Sequence, residues 1–192
     1  MRFTELLEQQ ETSKFLSTVQ QCCQQFICES KGLPLVKGLP FDSSIFREVK
    51  VRHRNKNDAF IESFNRAFIN QHGISNIYQR AIIANGSYVS QCDQASYYVF
   101  PTNGYKYLYN ETVTSTSQEY RHTFQHLIEQ TDDVSIRKLL SELVSYTYIS
   151  TALDEGIQSG AEILIFGINK FYAIRQDTYP EYYKLYNTIR RT

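Results

Sequence analysis

A carboxylate at the mouth of an otherwise apolar strand is the residue of this chain best placed to do chemistry. Glu162 opens the run Glu162-Ile-Leu-Ile-Phe-Gly-Ile-Asn-Lys-Phe-Tyr-Ala-Ile174, and a strand end holds a side chain rigidly where a cleft can form. There it could stabilise a developing cation through preorganised charge. The plainer alternative is a strand-end charge, since charged residues collect at the ends of elements. The second candidate group is Arg47, Lys50, Arg52, Arg54 and Lys56. Alternate cations along one extended segment could hold the phosphates of a nucleotide or of nucleic acid. A charged edge strand that keeps a sheet from pairing with other chains explains the same pattern without any partner.

Other spacings point away from chemistry. His122 and His126 stand four apart on an expected helix, but H-E-x-x-H is absent and no third ligand is near in sequence, so a solvated face accounts for them and no metal is expected. His53 and His72 lie beside a basic turn and a helix end, where favourable charge interactions explain them. Asp132-Asp133 and Asp154-Glu155 pair carboxylates at helix starts, a placement that serves the helix dipole. Walker-type, G-x-G-x-x-G and G-x-S-x-G patterns are missing, so ATP-driven, Rossmann-type and α/β-hydrolase readings have no support. Cys22, Cys23, Cys28 and Cys92 show neither C-x-x-C spacing nor a disulfide framework and read as free thiols.

The elements that must position these groups are those of one α+β domain. A length of 192 residues with 42% hydrophobic side chains suits a single core. Twenty basic and twenty acidic residues cancel, which removes any long-range attraction to nucleic acid or an anionic membrane. The acidic and amide residues close to Met1 do not suit a signal peptide, and no apolar run approaches the roughly 20 residues of a membrane span. An intracellular-type protein is therefore expected. The glycosylation patterns at Asn85-Gly-Ser87 and Asn110-Glu-Thr112 are then chance matches. With 15 Tyr and 12 Phe but no Trp, aromatic rings should dominate the core and any binding face.

Periodicity predicts an N-terminal helix from Thr4 to about Phe26, with Leu7, Phe15, Val19, Cys22 and Phe26 on its apolar face. Leu33–Leu39 reads as a strand closed by Gly38 and Pro40, and 46–56 as a half-exposed strand. A helix capped by Asn57 or Asp58 should bury Phe60, Phe64, Ala67 and Phe68 and end at Gly73. Strands follow at Ala81–Ala84, Tyr98–Phe100 and Tyr105–Tyr109, set off by Asn85-Gly86 and Asn103-Gly104, with a single helical turn at Asp93–Tyr97. Helices are expected over Ser117–Gln130, Val134 to about Ile149, and Thr151–Ser159. The 162–174 run should be a central strand with a hairpin or bulge at Gly167 and Asn169. A C-terminal helix from Asp177 carries Tyr179, Tyr182, Tyr183 and Tyr186, a stripe suited to core packing or to docking a partner.

Three of these segments, in this order, resemble the signature regions of mono-ADP-ribosyltransferases: Leu33-Pro-Leu-Val-Lys-Gly-Leu39, the turn Ala84-Asn-Gly86 with Gln94-Ala-Ser-Tyr97, and Glu162-Ile-Leu-Ile-Phe with Phe171-Tyr-Ala-Ile174. In that family the first strand carries an Arg, the second region a Ser or Thr, and the last strand a Glu; they bind NAD, orient it and stabilise an oxocarbenium-like transition state. The resemblance implies Lys37 at the first position, Asn85 or Ser87 at the second, and Glu162 as the catalytic carboxylate. Lys37 lacks the planar fork that grips phosphate bidentately, and Gly160 stands two before Glu162 where enzymes that modify protein side chains often carry a second carboxylate or amide. Tyr98–Tyr109 also resembles a stretch of small tailed-phage proteins with this kind of fold. Together these imply small, mostly antiparallel sheets flanked by helices: a phage-type protein, in the virion or the host cytoplasm, whose retained fold serves binding or assembly with phage structural proteins. An active enzyme that uses NAD to modify a host protein is the alternative implication, and a nucleic-acid module using the 47–56 patch a third.

Overall fold

A computed structural model describes residues 3–52, 59–86, 94–114, 138 and 148–192. Seven strands pair in the order β2-β7-β4-β1-β3-β6-β5 and every pairing is antiparallel. They are β1 (Val36–Pro40), β2 (Phe46–Lys50), β3 (Ile82–Asn85), β4 (Gln94–Pro101), β5 (Lys106–Tyr109), β6 (Glu162–Phe166) and β7 (Lys170–Arg175). The expected α+β class with antiparallel pairing holds, but as one connected sheet.

That sheet has two halves joined by a single residue pair, Val36↔Asn85. Residues 167–169 alone link β6 to β7, whose places are four strand spacings apart in the order. Four flat spacings would need about 19 Å, whereas the Cα steps from Phe166 to Lys170 reach at most about 14 Å. The sheet must therefore fold over at the β1–β3 junction. One continuous apolar cluster accordingly unites Leu39, Val99, Phe171 and Ala173 of the first half with Ile82, Ala84, Ile163 and Ile165 of the second.

Helices cover the outer faces. α1 (Phe3–Cys22), α2 (Gln24–Glu29) and, at the C-terminus, α6 (Tyr182–Arg191) lie on the first half. Phe15 meets Phe46 and Tyr172 at 4.7 and 5.6 Å between ring centroids, Phe26 meets Phe100 at 5.7 Å, and Tyr182 meets Tyr98 at 4.8 Å. On the second half, α3 (Ala59–His72) and α4 (Ile77–Arg80) bury Phe64, Phe68 and Tyr78 against Leu108 and Leu164. A fully buried Phe contributes on the order of 2–3 kcal/mol, so the predicted stripe Phe64, Ala67, Phe68 is what fixes α3. Gly73, at φ +66°, ends it as expected. The short α5 (Leu153–Gln158) sends Leu153 and Ile157 into the shared core and stops before Gly160, at φ +76°.

Several expectations are corrected. The N-terminal helix breaks at Cys23, and its buried face is Leu16, Val19, Cys23 and Phe26. The break admits the 102–105 turn: the Asn103 N–H donates to the Cys22 carbonyl at 2.7 Å, the Gln25 N–H to Asn103 Oδ1 at 3.0 Å, and the Gly104 N–H to Gln25 Oε1 at 2.9 Å. Gly38 lies inside β1, which ends at Pro40. Residues 94–97 are extended strand, not a helical turn, because their pairing with Pro40, Leu39, Gly38 and Lys37 satisfies the backbone. Neither Asn103-Gly104 nor Gly167–Asn169 closes a hairpin; each carries the chain from one half of the sheet to the other. The helix expected up to Ile149 has ended there, since Ile149 bridges Tyr109 in extended pairing. Most of 115–147, with the rest of that helix and the one at 117–130, lies outside the described residues.

The tyrosine stripe divides. Tyr182 is buried and Tyr186 half-buried, Tyr179 packs on Phe46, and Tyr183 is exposed. Tyr183 is the most exposed of the four, and Tyr179 precedes the helix.

Candidate functional site at the strand seam

Two of the three positions singled out for cofactor chemistry, Asn85 and Glu162, meet on one face where the halves of the sheet join, while Lys37 leaves the opposite face of β1. Asn85 is the direct cross-strand partner of Glu162 and also of Val36, the neighbour of Lys37. β1, β3 and β6 each supply one residue, and each strand is held on both sides by others, so the cluster is rigid. Ser87 lies outside the described residues.

Two of these side chains hold backbone carbonyls of neighbouring segments. Lys37 Nζ donates to the Ile83 carbonyl at 2.8 Å, a cross-strand bond that reinforces the junction where the ladder has a single pair. Asn85 Nδ2 donates to the Thr114 carbonyl at 2.8 Å. The Glu162 N–H donates to the Val113 carbonyl at 2.8 Å, so the 110–114 loop is sewn to β3 and β6. Asn110 stiffens that loop, accepting from the Thr112 N–H and hydroxyl at 3.1 and 2.9 Å. Glu162 itself is only 6% exposed. It is a buried carboxylate, not a charge at an open cleft mouth. Gly86 closes the site from the other side: a Cβ there would stand 2.0 Å from the Ile157 carbonyl oxygen. No sequence pattern announced that approach, because it is made by a helix seventy residues further on.

Among the described residues, the cations of the basic segment do not share one face. β2 is an edge strand, and successive residues of a strand face opposite sides, so Arg47 and Lys50 point apart. Arg47 donates to the Pro40 carbonyl at 3.0 Å, lies 3.6 Å from Asp42 and sits over the Tyr97 ring at 5.5 Å. Lys50 and Arg52 are exposed. Lys170 of the adjacent β7 reaches Glu48 at 2.9 Å, and their hydrogen bond holds the Glu48 carboxyl below its ordinary range. Arg54 and Lys56 lie outside the described residues. The geometry therefore fits edge protection better than a phosphate track.

No protein family, curated protein or solved structure matches this chain. The reading of the site accordingly rests on its own geometry.

The remaining expected residues fall as follows. His72 ends α3 with its ring 5.4 Å from Phe68, while His53, His122, His126 and the Asp132-Asp133 pair lie outside the described residues. Among the described residues no cluster of His, Cys, Asp and Glu could hold a metal ion, and no helix is long and apolar enough to cross a membrane. Cys22, Cys23 and Cys28 are free thiols; Cys23 is buried, which pushes its thiol up, while Cys28 is exposed. Asp154 and Glu155 open α5 as expected, and Asp154 also pairs with Lys31 at 2.7 Å.

One feature escaped the sequence altogether. A cleft of about 510 Å³ runs between α1, α2 and α6, lined by Gln20, Gln24, Ile27, Cys28, Lys31, Tyr186 and Arg190. The spacing of Tyr186 and Arg190 places that pair on one side of α6, but nothing local brings these segments together.

Proposed function

We propose that this chain is a binding or assembly protein on an ADP-ribosyltransferase-like framework, of the kind carried by tailed-phage particles, whose cofactor positions now serve the fold. The observation that supports this reading is the commitment of the two cofactor-side groups: Lys37 and Asn85 each donate at 2.8 Å to a backbone carbonyl of their own domain. A group that grips a phosphate must be free to leave its internal partner; the charge-assisted Lys37 bond stabilises by about 1.5–3 kcal/mol and the neutral Asn85 bond by about 0.5–1.5 kcal/mol. Its partners are phage structural proteins, met through surfaces other than the seam.

A second reading is favoured by the convergence itself. Asn85 and Glu162 stand side by side in the register, as an active mono-ADP-ribosyltransferase modifying a host protein with NAD would need, although Lys37, one residue from Asn85's other partner, faces the opposite side of the sheet. In that reading Glu162 is the catalytic carboxylate, Lys37 a phosphate anchor and Asn85 the orienting group.

One experiment separates them. Transfer of labelled NAD onto host-lysate proteins is measured for wild type and Glu162→Gln in parallel, with calorimetric titration of NAD. The binding reading expects no transfer and no NAD heat. Transfer by wild type that Glu162→Gln abolishes would establish the enzymatic reading in its place.

A further inference from the structure

The helical cleft differs from the rest of the surface in the sign and freedom of its polar groups. Its lining contains two cations and no carboxylate, in a chain whose net charge is zero. Arg190 is exposed at the last turn of α6 and has no hydrogen-bonding or ionic partner among the described residues. Lys31 pairs with Asp154 across 2.7 Å, yet its side chain is 70% exposed; such a pair is worth little in water, so the ammonium can turn to another anion. Gln20 and Gln24 add amide donors to the lining.

The floor is apolar and fixed. Tyr186 donates from its hydroxyl to the Ile27 carbonyl at 2.9 Å. Its ring lies so close to Gly32 that a Cβ there would stand 3.2 Å from it. Ile27 is 7% exposed beside it. A ring held at both its tip and its edge loses no freedom when a flat ligand lies on it, which is the condition for preorganised recognition. A volume of about 510 Å³ falls within the range of small-molecule sites, roughly 300–1,000 Å³.

From these features we infer that the cleft binds a small organic anion: a carboxylate, sulfonate or phosphate head held between Arg190 and Lys31, on a flat apolar body that lies on Tyr186 and Ile27. Arg190 supplies a planar fork for two oxygens of the head. The site lies on the helical layer outside the sheet, so it stands or falls independently of the seam and of NAD.

The probe is 8-anilinonaphthalene-1-sulfonate, with uncharged N-phenyl-1-naphthylamine as a matched body without the head. Fluorescence titration of the sulfonate should give one saturable site, and Arg190→Gln and Lys31→Asn should each weaken it by about tenfold, as loss of one charge-assisted contact does. Asparagine is chosen at position 31 because that residue has φ +48°, which Asn tolerates. Asp154→Asn, which releases Lys31, should tighten binding. The exposed thiol of Cys28 lines the same cleft and locates the probe: saturating sulfonate should slow its alkylation by iodoacetamide, followed by peptide mass. Wild-type affinity in Arg190→Gln, equal binding of the uncharged body, or an unchanged rate at Cys28 would each overturn the assignment.

Discussion

The seam and the helical cleft both bring cations, amides and aromatic or aliphatic surface together, yet they use them in opposite ways. At the seam the half-buried Lys37 and Asn85 donate to backbone carbonyls, and Glu162 is buried. At the cleft Arg190 is uncommitted, Lys31 holds only an exposed pair, and the fixed part is the apolar floor under Tyr186. A buried polar group must find its partner within the fold, since leaving it unmade costs about 1–3 kcal/mol. A solvated one keeps its hydrogen-bonding capacity for a ligand. Residue type therefore says little about which group binds; the surroundings of each group decide.

That contrast can be broken most severely at Gly86. A side chain there meets the Ile157 carbonyl oxygen at 2.0 Å, and backbone cannot yield as a flexible side chain can. Gly86→Ala should destabilise by about 3 kcal/mol or more in urea unfolding, while the sulfonate affinity of the folded fraction stays unchanged. Stability equal to wild type would mean that the seam is looser than its geometry indicates.

Lys37→Met comes next. It keeps much of the aliphatic stem but removes the bond to the Ile83 carbonyl, and should lower unfolding free energy by about 1–2 kcal/mol. A structural lysine predicts this loss with no change in any NAD titration. Unaltered stability together with weakened NAD binding would move Lys37 from the framework to a cofactor site.

The smallest effect belongs to Lys31 and Asp154. Their hydrogen bond holds the Asp154 carboxyl below its ordinary range and raises the Lys31 ammonium above its own. Asp154 thus contributes stability above its unfolded value, lost as pH falls through the depressed folded one. Lys31 contributes below its unfolded value, lost as pH rises through the raised folded one. The pair acts across the whole interval between, and because it is exposed, Asp154→Asn should leave the neutral-pH midpoint almost unchanged and remove only a shallow slope at the acid end. A large loss at neutral pH would show that the pair anchors α5 to the N-terminal helices, and that Lys31 is not available to the cleft.

What the sequence by itself determined is local. The 3.6-residue stripe of Phe64, Ala67 and Phe68, the strand character of 162–166 and 170–175, the break at Gly73 and the stop before Gly160 follow from periodicity and from backbone freedom at particular residues. The side-by-side pairing of Asn85 with Glu162 has no local signal in either segment. Tertiary structure decided the rest. Residues 94–97 are strand because β1 pairs with them, and the turns at 103–104 and 167–169 join strands that never pair with one another. The cleft exists because α6 returns beside the junction of α1 and α2. Periodicity reports which side of a segment is buried. Which partner buries it depends on closing long loops around a shared core, and that free energy belongs to no short stretch of the chain.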